Sequence, residues 1–475
     1  MTRHIHLIGI GGIGMSAVAQ LLLKRDSLII SGCDLKESGL IKELRKTGIA
    51  VWIGHNIQHL QGVDTVVYSS AIPKDNPEIQ EAARLGIQLI KRAEILAYLM
   101  QDKTVVTVTG MHGKTTTASL AAHLLSEAGL FPTIAVGGIL QNFGGNALIG
   151  EGRFFVAEAD ESDGSFLNYH PDYSIITNID YEHLDYYNNF SKILDAFRLF
   201  INQTRDEGCL FCWSDDPYLR ELLLDYKKKA LFYGLNENAD IYASGINLYG
   251  LNSEFDCFLE DEFIGNFSIP IGGKHNILNA LSVIALGLEL GIDRELIRVA
   301  LTRYQGTKRR LEIKFRSEAI SVLDDYGHHP TEISATLEAV RLLNPRRLLV
   351  IFQPHRYTRT KLLLDSFATC FDLADYVIIT DIYPAGEMPI EGISGYSIYE
   401  RLKSRRGDPD RLKFLPKEDI TGYVINILNS SFDEMNQDYK NSHSRHNLQD
   451  VVLVLGAGDI TKVSDELAEV FKRKA

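Results

Sequence analysis

Short runs of apolar residues alternate with longer amphipathic stretches along most of this chain, a pattern typical of parallel α/β proteins. In the first hundred or so residues the apolar runs predict strands at His4–Ile10, Leu28–Ile30, Thr65–Ser69 and Ile87–Ile90. Stretches of helical periodicity separate these runs, so we predict a small parallel α/β domain. The polar sequence Met100–Lys103 closes it, and we place the boundary at residue 102.

The alternation continues along the chain and predicts two further domains of the same class. In the second, the pattern predicts strands at Arg153–Ala157, Tyr173–Asn178 and Ala230–Tyr233 and a helix at Asn276–Leu290. In the third, it predicts strands at Ile320–Leu323, Leu348–Phe352, Tyr376–Thr380 and Val451–Leu455. We therefore predict an α/β fold of three domains, at residues 1–102, 103–309 and 310–475. The polar stretch Asn429–Asp450 lacks periodicity, and we predict a mobile surface loop there.

Charge and composition narrow the range of partners. With 49 Lys and Arg against 62 Asp and Glu, the formal net charge is -13, and no block of basic residues stands out. We therefore expect no nucleic-acid partner, and we expect anionic substrates to bind at local basic clusters. The chain opens without a signal-peptide pattern and has no apolar run of membrane-spanning length, so we expect no membrane partner and a cytoplasmic location. The pattern specifies no oligomeric state.

Five scattered cysteines favour a reducing compartment over a disulfide framework. They are Cys33, Cys209, Cys212, Cys257 and Cys370. Cys209 and Cys212 have the spacing of half a zinc site or of a redox pair, but no second pair follows them. Their segment, CLFCW, is apolar and suits a strand, which is the interpretation that we favour.

The clearest chemical signal is a glycine-rich loop that directly follows an apolar run. The segment Thr109–Thr117 (TGMHGKTTT) predicts a strand that leads into a phosphate-binding loop and a helix. In this pattern Lys114 reaches a terminal phosphate and the hydroxyl of Thr115 ligates Mg²⁺. Only two residues separate Gly110 from Gly113, where the common form has four, and a plain glycine-rich turn is the alternative. The Lys-Thr-Thr sequence after the second glycine favours a nucleoside triphosphate site.

A second glycine signature follows the first predicted strand. Gly9, Gly11 and Gly14 have G-x-G-x-x-G spacing, and an apolar helix start lies behind them. The usual ligand is a dinucleotide, with Asp34 on a ribose hydroxyl. The physical requirement is broader, because a helix dipole and a backbone free of side chains suit any pyrophosphate, including that of a UDP-linked molecule. The alternative is a strand-to-helix turn that binds no ligand.

Polar residues collect where two predicted strands of the central domain end. Glu158–Gly164 (EADESDG) follows one strand, and Asn178–His183 (NIDYEH) follows the other. Ligands of open parallel sheets bind beyond the carboxyl ends of the strands. Mg²⁺ prefers hard oxygen ligands and keeps several waters, so Thr115 with Glu158 is sufficient protein ligation, and His183 can serve a second divalent ion. Each acid taken alone is more typical of a solvated loop.

The strand ends of the third domain carry histidines and arginines. Asp324–Pro330 (DDYGHHP) follows one strand, Gln353–Arg359 (QPHRYTR) the next and Gly456–Asp459 the last. Arg356 and Arg359 can grip a carboxylate or a phosphate through paired N–H donors. Each histidine alone is typical of a loop, but several such groups on one edge indicate a binding site for an anion.

A triphosphate loop, a pyrophosphate turn and a basic strand edge together indicate ATP-driven joining of an acid to an amine. A carboxylate resists attack by an amine until its oxygen becomes a good leaving group, and phosphorylation to an acyl phosphate supplies that group. The enzyme then mainly positions the reactants and neutralises charge.

With these motifs the chain resembles the Mur ligases of peptidoglycan synthesis over essentially its whole length. The segments that carry the resemblance are GIGGIGMSA, TGMHGKTTT, EADESDGSF, NIDYEHLDYY, GKHNILNA, DDYGHHPTEI, FQPHRYTRT and GAGDI. DDYGHHP and PHRYTR resemble the L-alanine-adding member in particular, and the short phosphate loop is also the form of this family. The resemblance implies an ATP- and Mg²⁺-dependent ligase that joins L-alanine to the carboxylate of UDP-N-acetylmuramate through an acyl phosphate.

The resemblance also implies a Rossmann-like N-terminal domain for the UDP-sugar, a central P-loop ATPase-like domain for ATP, and a mobile Rossmann-like C-terminal domain. For the UDP-sugar it implies Gly11, Gly12, Gly14, Ser69 and Ser70. For ATP it implies Gly110, Gly113, Lys114, Thr115 and Thr116 in the phosphate loop, His275, Asn276 and Asn279 at adenine, Arg310 near the γ-phosphate, and Asp324 or Asp325 on the ribose. For Mg²⁺ it implies Thr115, Glu158 and His183, and for L-alanine Tyr326, His328, His355, Arg356 and Arg359. The catalytic residues that it implies are Lys114, Glu158, His183, His328 and Arg359.

Two functions of other classes stay open on the sequence. If the front glycine turn governs the function, the protein is a nicotinamide-dependent oxidoreductase. If the phosphate site is only regulatory, the protein is a nucleotide-gated binding module. Binding of NADH would indicate the first, and absence of ADP release with both ligase substrates present would indicate the second.

Overall fold

Three sheets and their flanking helices make up the described part of the chain, which confirms the predicted α/β class. The computed structural model describes residues 3–25, 27–406, 410–438 and 449–474. The chain divides into two compact units. The first unit comprises Met1–Ile246, Glu254–Pro270 and Asn276–Thr307, and the second comprises Asn247–Ser253, Ile271–His275 and Lys308–Ala475. The domain boundaries at residues 102 and 309 stay predictions.

The first sheet is parallel throughout and lies in the first unit. Its strands are β1 Arg3–Ile8, β2 Leu28–Asp34, β3 Ala50–Ile53, β4 Thr65–Tyr68 and β5 Gln88–Lys91. Its helices are α1 Ile13–Leu23, α2 Gly39–Lys46, α3 Pro77–Leu85 and α4 Arg92–Met100, with a 3-10 helix at Ile57–Leu60. The strand order is β3-β2-β1-β4-β5. All four predicted strands are confirmed, as β1, β2, β4 and β5, whereas β3 was not predicted.

The second sheet has ten strands. They are β6 Thr104–Thr109, β7 Thr133–Leu140, β8 Gly145–Leu148, β9 Phe154–Glu158, β10 Tyr173–Ile176, β11 Cys209–Trp213, β12 Lys229–Gly234, β13 Ile241–Tyr249, β14 Asn252–Leu259 and β15 Glu262–Ile269. The helices are α5 Lys114–Glu127, α6 Leu184–Tyr187, α7 Phe190–Gln203, α8 Pro217–Leu222, α9 Lys274–Glu289 and α10 Arg294–Thr302, with a 3-10 helix at Ser165–Asn168. The strand order is β15-β14-β13-β12-β11-β10-β6-β9-β7-β8.

The strands predicted from the sequence match the centre of this sheet better than its two ends. The predicted strands and helix are confirmed as β9, β10, β12 and α9, and the apolar CLFCW segment is β11 with both cysteines buried. At the ends, β7, β8 and β13 to β15 escaped prediction. Buried positions in β14 alternate with half-exposed ones, so its sequence lacks the continuous apolar run that marks a central parallel strand.

The third sheet lies in the second unit. Its strands are β16 Glu312–Arg316, β17 Ile320–Asp325, β18 Arg347–Phe352, β19 Tyr376–Ile379, β20 Leu412–Phe414 and β21 Asp450–Leu455. Its helices are α11 Pro330–Arg341, α12 Tyr357–Leu362, α13 Leu364–Phe367, α14 Gly395–Arg406, α15 Lys417–Asp438 and α16 Thr461–Lys474. The strand order is β16-β17-β21-β18-β19-β20, and β16 alone runs antiparallel to its neighbour. The four strands predicted here are confirmed.

The loop predicted at Asn429–Asp450 is wrong over its first ten residues, because α15 continues to Asp438. Ile420, Val424 and Leu428 are buried and give the first half of α15 its helical periodicity. Intrahelical hydrogen bonds continue the helix to Asp438, through a polar stretch whose sequence does not signal a helix. The part of the prediction at residues 439–448 lies outside the described residues.

The parallel strands are buried on both faces, which confines polar chemistry to their ends. Val105, Val106 and Val108 of β6 are buried, and all six residues of β21 are buried. Side chains that need water or a charged ligand therefore collect where the strands stop. Among the described residues we find no helix with the length and hydrophobicity that a membrane crossing requires.

Candidate active site

The glycine-rich loop connects the buried strand β6 to α5. Gly110 (φ 122°) and Gly113 (φ 84°) both have positive φ angles, and Gly113 is the N-cap of α5 without a side-chain hydrogen bond. A Cβ atom at Gly110 would lie 2.2 Å from Oγ1 of Thr177, and one at Gly113 would lie 2.8 Å from Oδ1 of Asn279. The loop therefore requires glycine at both positions. Because Gly113 has no side chain, none of its atoms caps the first N–H groups of α5. This geometry fits a phosphate group.

Lys114 is held by a buried carboxylate that the sequence analysis did not single out. Its Nζ donates to Oε1 of Glu161 at 2.6 Å and to the carbonyl oxygens of Gly110 and Met111 at 2.5 and 3.3 Å. Glu161 has no exposed surface, and Nε2 of His183 lies 3.3 Å from the same Oε1. Burial disfavours both charges, but the ion pair outweighs it: the pKa of Lys114 is raised and that of Glu161 is lowered to about 2.

Thr115 and Glu158, the two ligands expected for Mg²⁺, are direct neighbours. Oγ1 of Thr115 lies 3.1 Å from both carboxylate oxygens of Glu158 and donates to them, and the N–H of Gly137 donates to Oε2 at 2.7 Å. Burial raises the pKa of Glu158, against the attraction of Lys114. A hydroxyl and a carboxylate are hard oxygen donors, so this pair fits Mg²⁺. His183, the third predicted metal ligand, lies next to Glu161, with its Nε2 3.3 Å from Oε1 of that residue.

The start of α9 lies beside the phosphate loop. Asn279 approaches Gly113, and its Nδ2 donates to Oδ1 of Asn276 at 3.2 Å. Both asparagines are buried, and Thr116 lies in the first turn of α5. His275 belongs to the second unit, where burial lowers its pKa to about 4, so its imidazole is neutral at pH 7. The contacts of these residues with adenine stay a prediction.

The front glycine turn, Gly9–Gly14, is hydrogen-bonded to Asp34 at the end of β2 and is in contact with Arg92. The N–H of Gly11 donates to Oδ2 of Asp34 at 2.9 Å, and Gly12 begins α1 without a side-chain cap. A Cβ atom at Gly14 would lie 2.4 Å from Nη1 of Arg92. Arg92 thus brings a positive charge to the turn that the sequence analysis did not find, because it lies at the start of α4, far along the chain. The only local signal was a basic residue directly after a predicted strand.

The acidic segment after β9 reaches this front turn as well as the phosphate loop. Nη2 of Arg92 lies 3.7 Å from Oδ2 of Asp160, and the hydroxyl of Ser70 donates to Oδ2 of Asp163. Ser69 and Ser70 follow β4, so the carboxyl end of the first sheet meets that segment within the first unit. The same segment contains Glu161, the partner of Lys114.

Four of the residues predicted for L-alanine lie together in the second unit. The ring centroids of His328 and His355 are 5.7 Å apart, and those of Tyr326 and His328 are 5.6 Å apart. Nη1 of Arg359 lies 3.3 Å from Nδ1 of His355. Burial lowers the pKa of both histidines, to about 3 for His355, and the charge of Arg359 lowers both further. Both imidazoles are therefore neutral at pH 7, and the positive charge near His355 comes from arginines, namely Arg359, Arg356 and Arg309.

The predicted ribose and γ-phosphate ligands are already engaged within the second unit. Arg310 lies 5.3 Å from the ring centroid of Tyr326. Asp324 is fully buried and accepts a hydrogen bond from the hydroxyl of Thr461. Asp325 accepts from two backbone N–H groups at 2.7 and 2.8 Å, and burial raises its pKa to about 6. Both carboxylates therefore hold the local loops in place, and their contact with ribose stays a prediction.

Comparison with known proteins gives matches along the whole chain. Three family models match: "Mur ligase family, catalytic domain" at residues 4–104, "Mur ligase middle domain" at residues 108–287 and "Mur ligase, glutamate ligase domain" at residues 309–458. The chain is 43% identical over 463 residues to a UDP-N-acetylmuramate--L-alanine ligase of Anaeromyxobacter sp. (strain Fw109-5), covering 98% of this chain and 96% of the relative. It is 40% identical over 473 residues to the protein of the same name from Persephonella marina, covering 99% and 98%.

The fold is similar to that of a solved structure of the same kind. This is the crystal structure of UDP-N-acetylmuramate-alanine ligase MurC from Thermotoga maritima, with a TM-score of 0.81 and 28% sequence identity. The similarity covers 99% of this chain and 100% of that chain.

Proposed function

The chain belongs to the Mur ligase family, and from this premise we propose that it is an ATP-dependent ligase that joins L-alanine to the carboxylate of UDP-N-acetylmuramate in peptidoglycan precursor synthesis. One observation supports this function above the others. The acidic segment Glu158–Asp163 contacts Arg92 at the pyrophosphate turn and Lys114 at the phosphate loop. A sugar nucleotide on the turn and a triphosphate on the loop would therefore both lie next to this segment, at the carboxyl ends of strands from two sheets of the first unit.

The proposed reaction has two displacements. A carboxylate oxygen of UDP-N-acetylmuramate attacks the γ-phosphorus of ATP, the bond to the bridging oxygen breaks, and ADP leaves. The amine nitrogen of L-alanine then attacks the acyl carbon, inorganic phosphate leaves, and the amide forms with loss of a proton from nitrogen. The protein's part is to hold these groups in line and to neutralise the charge on the phosphates.

In this proposal the phosphate loop serves ATP. The ammonium of Lys114 would exchange part of its contact with Glu161 for phosphate oxygens, and the uncapped start of α5 would donate N–H groups. Thr115 and Glu158 would hold one Mg²⁺ and His183 a second, where the metal adds positive charge to the transferring phosphoryl group. Asn276 and Asn279 beside the loop would contact adenine, together with His275, and Arg310, Asp324 and Asp325 would serve the γ-phosphate and the ribose.

The other two substrates take the remaining site residues. Gly11, Gly12, Gly14, Ser69 and Ser70 would bind the UDP-sugar, with Arg92 beside the pyrophosphate. Arg356 and Arg359 would bind the carboxylate of L-alanine through paired N–H donors, next to Tyr326 and His355. Burial lowers the pKa of His328, so its ring is neutral at pH 7 and would line the L-alanine site without adding charge. Free thiols at all five cysteines support the cytoplasmic location that we include in the proposal.

The proposal is tested by coupled assay of ADP release. We expect ADP to form only when UDP-N-acetylmuramate and L-alanine are both present, and Lys114→Met to lower the rate by about 100-fold or more. Arg359→Ala should chiefly raise the KM for L-alanine. Lys192→Met, which changes an exposed lysine of α7, is the matched control and should leave the rate unchanged.

Three results would count against the proposal. ADP release undiminished in Lys114→Met would remove the phosphate loop from the chemistry. No ADP release with both substrates present would favour the nucleotide-gated binding module. Saturable binding of NADH that UDP-N-acetylmuramate does not displace would favour the oxidoreductase.

A further inference from the structure

A second group of metal-ligating side chains lies buried in the first sheet, and the proposed reaction does not use it. Its members are His6 on β1, Cys33 on β2, His59 in the 3-10 helix and Glu78 on α3. One donor atom from each of these four side chains lies within 4.8 Å of all the others. Four separate elements supply the group, so the tertiary fold alone assembles it.

Glu78 is the centre of this group. It has no exposed surface, its Oε2 accepts a hydrogen bond from Sγ of Cys33 at 2.9 Å, and its Oε1 lies 2.6 Å from Nδ1 of His59. The backbone N–H of Asn56 also donates to Oε1, at 3.0 Å. A carboxylate buried among a thiol and two imidazoles is an N, O and S donor set, which hard cations such as Mg²⁺ do not select.

His6 provides an independent observation that points to a ligand. Its side chain has no exposed surface, and its Nε2 has no hydrogen-bond partner among the described residues. This nitrogen faces the group, at 3.9 Å from Oε2 of Glu78, which is too long for a hydrogen bond. A buried polar atom left without a hydrogen-bond partner destabilises the folded state, so natural folds rarely contain one without a reason.

The other ring nitrogen of His6 shows how Nε2 can bind a metal. Nδ1 lies 2.9 Å from Oγ of Ser31, and the same Oγ lies 2.8 Å from Nε2 of His4. When Nδ1–H donates to Ser31 and the Ser31 hydroxyl donates to His4, Nε2 of His6 carries a free lone pair directed at the group. A hydrogen bond on the far nitrogen is the arrangement that orients metal-binding histidines.

We propose that Nε2 of His6, Sγ of Cys33, Nδ1 of His59 and one carboxylate oxygen of Glu78 form a structural site for a single Zn²⁺ ion. Four protein ligands of this kind make a closed tetrahedral site. Zinc bonds of about 2.0–2.3 Å require donor atoms that are now hydrogen-bonded, such as Nδ1 of His59 and Oε1 of Glu78 at 2.6 Å, to move apart, and the more distant donors to draw closer. A thiolate and a carboxylate balance the charge of the ion, so the occupied site is neutral and suits its buried position.

Zinc binding at this site releases a proton. The Cys33 thiol, which now donates to Glu78, loses its proton as the Zn–S bond forms, and the proton on Nδ1 of His59 moves to the other ring nitrogen or to solvent. Because zinc displaces these protons, its affinity is expected to rise with pH. His55 also lies against the group: its side chain is 15% exposed, and its Nδ1 lies 3.3 Å from Oε2 of Glu78 and 3.3 Å from Sγ of Cys33.

The test uses the full-length chain without a polyhistidine tag, freed of metal with a chelator and titrated with Co²⁺ alone. We expect one equivalent of Co²⁺ to give tetrahedral visible bands and a thiolate-to-cobalt band in the near ultraviolet, both reversed by Zn²⁺. Co²⁺ bound at Thr115, Glu158 and His183 gives no thiolate band, because those ligands are oxygen and nitrogen. The result is thus independent of the proposed ligase activity.

Two variants at the site and one control test whether the cobalt bands come from Cys33 and His59. Cys33→Ser keeps a hydroxyl donor to Glu78 but should lose the thiolate band completely. His59→Gln should weaken Zn²⁺ binding by about 10- to 100-fold and lower the zinc-dependent rise in Tm. Cys370→Ser changes a buried thiol of the second unit and should keep the full band. Far-ultraviolet circular dichroism of each metal-free variant verifies that it is folded.

The proposal fails if the folded wild-type chain gives no thiolate band at a saturating Co²⁺ concentration. It also fails if the band persists in Cys33→Ser. In either case the four side chains form only a buried hydrogen-bond network.

Discussion

Glu161 is a fully buried carboxylate that touches two residues predicted for the nucleotide site. It binds the ammonium of Lys114 at 2.6 Å and lies 3.3 Å from Nε2 of His183. Such a group acts through others: it fixes the position and the charge of Lys114 before any phosphate is bound. We therefore regard Glu161 as a positioning residue of the phosphate loop.

The variant Glu161→Gln tests this role. Glutamine keeps an oxygen acceptor but removes the charge that holds the Lys114 ammonium, so we expect kcat/KM for ATP to fall by about tenfold or more. The KM values for L-alanine and UDP-N-acetylmuramate should change little, which a general loss of folding would not produce. Steady-state ADP release with each substrate varied in turn measures the three values.

Glu127→Gln is the matched control, because Glu127 also forms an ion pair, with Arg303 at 2.9 Å, but at the surface of the first unit. It should leave all three values unchanged. Equal losses in the two variants would contradict a specific role for Glu161.

At the scale of the element, the junction of β6 and α5 decides how the first unit can bind a phosphate. The helix begins at a glycine in a left-handed conformation, with φ of 84° at Gly113 and no side-chain cap. Any side chain here meets Asn279 and stands in front of the first N–H groups of α5. The absence of a side chain at Gly113 therefore leaves room for a phosphate group at the start of α5.

We expect Gly113→Ala to lower ADP release by about tenfold or more and to destabilise the fold by about 1–2 kcal/mol. The reason is that the new Cβ atom would lie 2.8 Å from Oδ1 of Asn279 in a backbone conformation that alanine rarely adopts. Gly129→Ala lies just beyond the other end of α5 with φ of 69° and nothing within 4 Å of the new Cβ atom. It should show similar destabilisation in urea unfolding but unchanged ADP release. Equal loss of ADP release in both variants would contradict the assignment of the loop.

At the scale of the whole molecule, the buried carboxylate of Glu78 makes the free energy of unfolding depend on pH. Glu78 loses favourable hydration on burial, but the neighbouring imidazole of His6 and the hydrogen bonds from Cys33, Asn56 and His59 lower its pKa from 4.5 to about 2. Because the pKa is lower in the folded state, the unfolded chain binds more protons. The stabilising contribution is present above pH 4.5 and is lost as the pH falls toward 2.

In metal-free protein we expect Glu78→Gln to remove this acid-dependent contribution, which is about 3 kcal/mol for a lowering from 4.5 to about 2. The variant should be less stable than the wild type at pH 7, and its stability should change less between pH 5 and about pH 3. Urea unfolding followed by tryptophan fluorescence measures it, since Trp52 and Trp213 both lie in the first unit. Glu43→Gln, at an exposed side chain of α2, is the control. Parallel pH curves for the wild type and Glu78→Gln would contradict the prediction.

The sequence by itself determined the α/β class, most of the central strands and the chemistry of the phosphate loop. These features are local, because a buried parallel strand needs an apolar run, and a loop around phosphate needs glycines at fixed spacing next to a lysine. The strands toward the two ends of the second sheet and the second half of α15 were missed because neither produces a strong pattern in a short window.

Only the tertiary structure decided which charges meet. Glu161 joins Lys114 across 47 residues, and Ser70 joins Asp163 across 93. The four side chains around Glu78 come from four separate elements. Local periodicity fixes where a strand or helix forms, but proximity between distant side chains follows from strand order and helix packing, which leave no spacing rule in the sequence.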